Sequence, residues 1–285
     1  MSVAVVTDST SYLPQGVASG HGIEVVPLRV TLGRRVGRDI LDVLPAEVTE
    51  ALADRAVSVG TSRPAPVEFV TRYRELLDKG ADEIVSVHLS RDLSGTWESA
   101  RLAAREIDPN RIRVIDSRST AMGLGFAVVA AAAAAADGLT GEKVAASAID
   151  VAARGRMFFC VDTLEHLRRG GRIGPAVAWL GTALSVKPLL HMVDGRIEPL
   201  EKVRTAGRAV ARMVELAVQA AGSGEVDLAV HHLGGAARAE ELVGRLVERL
   251  PSARRCVVSE VGAVLGAHAG PGLLGVVVVP DRPPS

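Results

Sequence analysis

The sequence predicts an α/β protein made of two lobes with largely parallel sheets. Short β-branched runs alternate with helix-length segments along the whole chain, the pattern of crossover connections and buried parallel strands. Hydroxyl- and carboxylate-rich segments fall where those strands end, at residues 7–11, 60–62, 90–96 and 116–120. Ligands of open parallel sheets collect at such ends, which places the expected ligand site between the lobes. With 285 residues, 48% hydrophobic and 23% charged, the composition is globular and the length suits two ordinary domains.

The elements follow in order. Residues 3–6 form a first apolar strand that ends in Thr7-Asp8-Ser9-Thr10-Ser11, and residues 23–30 a second strand. A helix is expected at 45–54. Residues 67–79 carry a helical period that stops at Gly80, with Pro66 at the first helical position, where a missing N–H costs nothing. A strand at 84–89, a helix from about 95 to 107 and a strand at 112–115 come next. The alanine-rich stretch 121–136 is shorter than the ~20 apolar residues a membrane span needs and is bounded by Arg118 and Asp137, so it reads as a buried helix. Thr140 stands at the N-cap of a helix over 141–154, with Glu142 in its first turn. Strands at 157–161, 228–231, 256–258 and 276–279 and helices at 204–221 and 236–250 complete the pattern. Asp194-Gly195 between apolar flanks fits a type I′ hairpin turn. A boundary near 150–160 gives lobes of residues 1–155 and 156–285, with residues 281–285 as a short tail.

Composition excludes several classes of function. A net charge of zero gives no field to attract nucleic acid, and 3% aromatics leave few platforms for stacking bases. Cys160 and Cys256 lie in apolar runs and read as buried free thiols. The first residues show neither a basic region nor a long apolar one, so no signal peptide is visible and the cytoplasm is the expected compartment. No cofactor or metal is expected. His231-His232 lacks a metal-ligand pattern, Gly123-Leu124-Gly125 lacks the third glycine of a dinucleotide fingerprint, and there is no P-loop. Asp8 and Asp116 read as turn-capping residues.

The chemistry-bearing residues are hydroxyls, glycines and one imidazole. Ser94-Gly95-Thr96 stands at a helix start, where a hydroxyl, free N–H groups and the helix dipole either cap the helix or hold an anion. Thr61-Ser62 precedes a turn rich in proline; if Pro66 begins the helix, Ala65 takes the cap position without an oxygen, leaving Thr61 or Ser62 for a ligand. His268 lies in a glycine-dense loop with Gly266, Gly270 and Gly272, and its ring can donate to a carboxylate or charge and pair with one. Arg168, Arg169 and Arg172, with Lys202 and Arg204, form either a solvated charge run or a face for an acidic partner or phosphate. Ser94 and His268 also raise the alternative of a serine esterase or lipase, although the GxSxG elbow is missing.

Taken in sequence, these motifs resemble the DegV family of bacterial fatty-acid-binding proteins, the group that includes the binding subunit of the fatty acid kinase system. The resemblance runs nearly end to end. It is carried by Thr7-Asp8-Ser9-Thr10, Thr61-Ser62-Arg63-Pro64, His88-Leu89-Ser90 through Leu93-Ser94-Gly95-Thr96, Val114-Ile115-Asp116-Ser117 with Met122-Gly123-Leu124-Gly125, the segment from Leu164 to Gly174, Val186-Lys187-Pro188-Leu189-Leu190, and the glycine-rich run from Gly266 to Gly275. It implies a two-lobed α/β carrier that holds a long-chain fatty acid and presents it to a partner kinase, which phosphorylates the carboxylate in service of phospholipid synthesis. Such a carrier has no turnover of its own. The resemblance further implies that Thr61, Ser94 and His268 hydrogen-bond the carboxylate, with Ser62, Gly95, Thr96 and Gly270 in support. Arg172 and Arg204 take positions suited to the kinase or the acyl phosphate. The chain departs from the pattern at Arg63, where the family has Gln, at Ala65 and Ala121, where serine is usual, and at Ala267, where threonine occurs.

Overall fold

In a computed structural model, residues 2–54, 56–174 and 186–281 are described. The chain begins with β1 (Val3–Asp8), a 3₁₀ turn at Ser9–Ser11, α1 (Val17–Gly20), β2 (Ile23–Val26), β3 (Arg29–Leu32), β4 (Arg35–Arg38) and α2 (Pro45–Ala53). It continues through β5 (Val59–Ser62), α3 (Pro66–Asp78), β6 (Glu83–His88), α4 (Thr96–Ile107), β7 (Ile112–Asp116), α5 (Ala121–Ala136) and α6 (Gly141–Arg154). Next come β8 (Arg156–Cys160), α7 (Glu165–Arg169), β9 (Lys187–Val193), β10 (Arg196–Val203) and α8 (Ala206–Ala221). The chain closes with β11 (Val226–His232), α9 (Ala236–Arg249), β12 (Ala253–Glu260), α10 (Ala263–Ala269) and β13 (Leu274–Pro280).

Two compact units result: Met1–Arg29 with Thr61–Ala153, and Val30–Gly60 with Arg154–Ser285. The segment Val30–Gly60 therefore groups with the later half of the chain, which a single cut between residues 155 and 156 does not express. Its attachment is specific. Asp39, fully buried, accepts a hydrogen bond from the Val264 backbone N–H at 3.2 Å, and the Val48 side chain packs on Gly266.

The first unit holds a parallel sheet in the order β2-β1-β6-β7, as the alternation of strands and helices predicts. Period-two alternation buries both faces. Val5, Val85 and Val87 meet Leu124, Ala127, Ala131 and Val144, whereas Val6 and Ile84 meet Phe69, Tyr73, Ala100 and Ala103. The alanine-rich α5 is buried nearly all round, and a Cβ on its Gly125 would sit 2.9 Å from the Ser11 carbonyl oxygen. Glycine is needed there because helix and turn backbones touch. The expected strand over 23–30 divides at Pro27, which has no N–H for a ladder, into β2 and β3, and β3 joins a small sheet ordered β4-β3-β5.

The second unit corrects the expectation of parallel strands. Its sheet, β10-β9-β8-β13-β11-β12, is antiparallel at every pairing except β11 with β12. Two local features explain this. Asp194 and Gly195 both have positive φ (47° and 85°), the type I′ geometry that turns β9 straight back into β10. Between β12 and β13 the chain forms only the seven-residue α10, too short for the usual crossover, and β13 returns antiparallel to β11. Helices α8 and α9 cover one face through Ala209, Met213, Ala217, Leu242 and Leu246. Cys160 and Cys256 are both free thiols, the first buried. Among the described residues no helix is long and apolar enough to cross a membrane.

Candidate functional site

The polar residues gather in two clusters, one in each unit. In the first, β6 ends at His88 and the chain turns through Ser90. The Leu93 and Ser94 N–H groups donate to the Ser90 carbonyl at 3.0 and 3.1 Å, and the Asp92 N–H donates to Ser90 Oγ at 3.2 Å. This tight turn delivers Ser94 to the start of α4. Gly95 is the N-cap residue, so Ser94 stands one position before it. Ser94 Oγ accepts the Thr96 N–H at 3.3 Å and lies 2.9 Å from Thr96 Oγ1, so two hydroxyls meet beside a helix N-terminus. The Arg63 guanidinium reaches over Gly95 to its carbonyl at 3.4 Å, and any side chain at position 95 would displace it. Thr61 and Ser62 finish β5, the first half-buried and the second exposed. As expected, Ala65 is the N-cap of α3 without a side-chain bond, and the Glu68 carboxylate reaches back to its N–H at 2.8 Å.

Beneath the turn lies a fully buried network around Asp8, which caps the Ser9–Ser11 turn as expected and also ties in His88, Ser86 and Tyr73, which the sequence did not show. Asp8 Oδ2 accepts from His88 Nδ1 and from the Leu89 N–H, each at 3.0 Å. Asp8 Oδ1 accepts from the Thr10 N–H at 3.0 Å and the Thr10 hydroxyl at 2.6 Å. With the Nδ1 proton aimed at Asp8, His88 Nε2 accepts from Ser86 Oγ at 2.7 Å, and Ser86 in turn accepts from the Tyr73 hydroxyl at 2.8 Å. Burial raises the Tyr73 pKa. Ser86, His88 and Asp8 have the connectivity of a hydrolase triad, yet all three are wholly buried, so the network serves structure. It fixes the end of β1 to the end of β6, from which the Ser94 turn departs.

In the second unit, His268 departs from its expected setting. The glycine-rich run is not wholly loop: residues Ala263–Ala269 form α10, and His268 stands on its last turn. Asp39 accepts the Val264 N–H at the helix start, and at Gly266, inside the helix, a Cβ would fall 3.3 Å from Leu233 Cδ2. Gly270, with φ +76°, ends the helix by donating its N–H to the Gly266 carbonyl. The His268 ring lies against Gly170, and the Arg172 guanidinium donates to the Gly170 carbonyl. Burial first, and then the Arg172 charge, push the His268 pKa down to about 4. A neutral imidazole beside a half-buried guanidinium, itself shifted down by burial, leaves this cluster suited to an anion. Arg204 stands exposed on a separate segment, between β10 and α8.

Ser94, Gly95 and Thr96 are thus together, as are His268, Gly270 and Arg172. The neighbours whose roles the sequence did not show are His88, at the end of an apolar strand, and His166, in the charged segment of α7. Asp116 behaves as expected, accepting from the Arg118 N–H at 2.9 Å. His231 is structural, its Nδ1 3.1 Å from the Ser259 carbonyl oxygen, and burial lowers its pKa to about 4.

Fold and clusters define an α/β protein with hydroxyls at one helix start and a neutral imidazole beside a guanidinium at another helix end. A family model described as an uncharacterised protein of the DegV family matches residues 2–281, and the chain belongs to the DegV family. A DegV domain-containing protein of Streptomyces coelicolor is 52% identical over 276 residues, covering 97% of this chain and 98% of that one. The structure is similar to a DegV family protein from Thermus thermophilus described for its fatty acid binding, with a TM-score of 0.93 and 34% identity over 98% of this chain and 100% of that one. It is also similar to DegV of Bacillus subtilis, described as a fatty acid binding protein, with a TM-score of 0.89 and 33% identity over 99% of this chain and 100% of that one.

Proposed function

We propose that the chain is a cytoplasmic carrier that binds one long-chain fatty acid and presents its carboxylate to a partner kinase for phosphorylation. Thr61, Ser94 and His268 bind the carboxylate, with Ser62, Gly95, Thr96 and Gly270 in support, and Arg172 and Arg204 meet the partner or the acyl phosphate. Chemistry stays with the kinase, and the carrier turns nothing over. The observation that carries this reading is the His268 cluster, a neutral ring beside a half-buried guanidinium. A carboxylate placed there would meet a guanidinium and a ring that burial keeps neutral. The fatty acid binding described for two relatives of more than 30% identity supports the choice of ligand.

The energetics are favourable. Each buried CH₂ contributes about 0.8 kcal/mol, so a long acyl chain accounts for most of the affinity. A buried carboxylate is costly unless its oxygens are satisfied, which is the task given to hydroxyls, N–H groups and an imidazole. Native mass spectrometry of the purified chain, followed by organic extraction, tests the reading. One long-chain fatty acid per chain is the expected result. An empty chain that also fails to take up added long-chain fatty acid overturns it.

A further inference from the structure

His166, on α7, has no role in the function proposed so far. Its ring lies against Gly270, where a Cβ would fall 2.9 Å from His166 Nε2 and closer still to Cδ2. The reverse contact holds as well: the His268 ring lies against Gly170, where a Cβ would fall 3.0 Å from His268 Cε1 and closer still to Nδ1. Each histidine therefore rests on the glycine that follows the other's helix. The contacts close into a ring. Gly170 donates to the His166 carbonyl at 2.9 Å, Arg172 donates to the Leu167 carbonyl at 2.9 Å, and Gly270 donates to the Gly266 carbonyl at 2.8 Å. A side chain on either glycine would push a histidine away.

The His166 ring is held for its shape. Its Nδ1 is buried with no hydrogen-bond partner among the described residues, so hydrogen bonding through that nitrogen does not account for the ring's position. We infer that His166 is the positioning residue of His268: by filling the space over Gly270 it fixes the end of α10 and excludes water from the His268 ring. This rests on the carboxylate-binding role proposed for His268. The charged and titratable groups facing the pair are Arg172 at His268, and Glu165 and Arg169 at His166. Burial, with Arg169 second, lowers the His166 pKa as well, so neither ring carries charge at neutral pH.

The test compares His166→Ala with His166→Phe, which keeps a ring over Gly270 without nitrogens. Two quantities are read in the full chain: the pH midpoint of the His268 ring by NMR, and affinity for oleate. His166→Ala admits water, so the midpoint should rise from about 4 toward the ordinary histidine value of 6.5. Oleate binding should weaken about tenfold, the loss expected for one misplaced hydrogen bond to a charged group. His166→Phe should leave both unchanged. An unmoved midpoint in His166→Ala overturns the inference, as does a His166→Phe variant that shifts as far as alanine, since the nitrogens would then be what matters. A raised midpoint in His166→Ala together with oleate binding undiminished in His268→Ala supports the positioning role and removes the carboxylate role.

Discussion

Replacing His268 with alanine is expected to weaken long-chain fatty-acid binding by about ten- to a hundredfold, and Ser94→Ala by about tenfold, without unfolding the chain. A hydrogen bond to a charged group is worth about 1.5–3 kcal/mol, which sets these factors. The His268 ring lies at a helix end against Gly170, so truncation removes a donor and leaves the glycine-centred backbone in place. Ser94→Ala removes the acceptor of one N–H, that of Thr96, at a half-buried helix start, a modest structural loss. His268→Ala should also alter acid stability. The folded-state pKa of about 4 lies below the ordinary value of 6.5, so the neutral ring contributes stability above pH 6.5 that is lost as pH falls through 4. That contribution is about 3 kcal/mol at most, and the variant should lose stability less steeply over this window, leaving the similar contribution of His231. Competition titration and urea unfolding between pH 7 and 4 measure the two effects. Wild-type affinity in both variants would remove Ser94 and His268 from the site.

Asp8→Ala should be the most destabilising single substitution in the first unit, by about 3–5 kcal/mol against a typical total of about 5–15 kcal/mol. The carboxylate accepts four hydrogen bonds, from His88 Nδ1, the Leu89 N–H, the Thr10 N–H and the Thr10 hydroxyl, and is wholly buried. Removing it strands every one of those donors away from water. Asp8→Asn is the sharper variant because it keeps the shape. Its carbonyl can serve Thr10, but its NH₂ then faces two donors, His88 Nδ1–H and Leu89 N–H. Asparagine should therefore cost about 2 kcal/mol or more despite its isosteric fit. Urea unfolding of both variants checks this, and an asparagine variant as stable as the parent would show that the network carries no charge-dependent stability.

What was legible in the sequence was local. Pro66 at a helix start, Asp194-Gly195 in a hairpin and the short apolar runs of the first sheet each express a preference within a few residues, and each appears in the structure. The seven ordered motifs of the resemblance belong to the same family whose model matches residues 2–281. What was not legible depends on residues far apart in the chain. Thr140 stands at the N-cap of α6 as expected, its carbonyl accepting the Val144 N–H at 2.9 Å, but the sequence gives no sign that the Gly141 N–H donates to the Glu83 carboxylate at 2.6 Å from a strand 58 residues away. Asp39 gives no sign in sequence that it will receive the Val264 N–H, and that bond is part of what draws residues 30–60 to the second unit. The strand directions of the second sheet followed a short helix hidden by the glycine density around His268. In the candidate site, the hydroxyls of residues 94 and 96 were readable because a turn marks the helix start beside them, whereas His268 was expected in a loop and stands on α10. The partners that orient them were not readable, since His88 and His166 look like ordinary residues of a strand end and a charged helix.

The most direct test of the central claim is a carbon-13 NMR titration of the chain with oleate labelled at its carboxyl carbon. A carboxylate held by Ser94 and His268 should give one bound resonance, distinct from free oleate, in slow exchange, and saturating at one ligand per chain. That resonance should move or vanish in Ser94→Ala and in His268→Ala. A carboxyl signal that stays at the position of free oleate, or a bound signal that neither variant changes, would contradict the account.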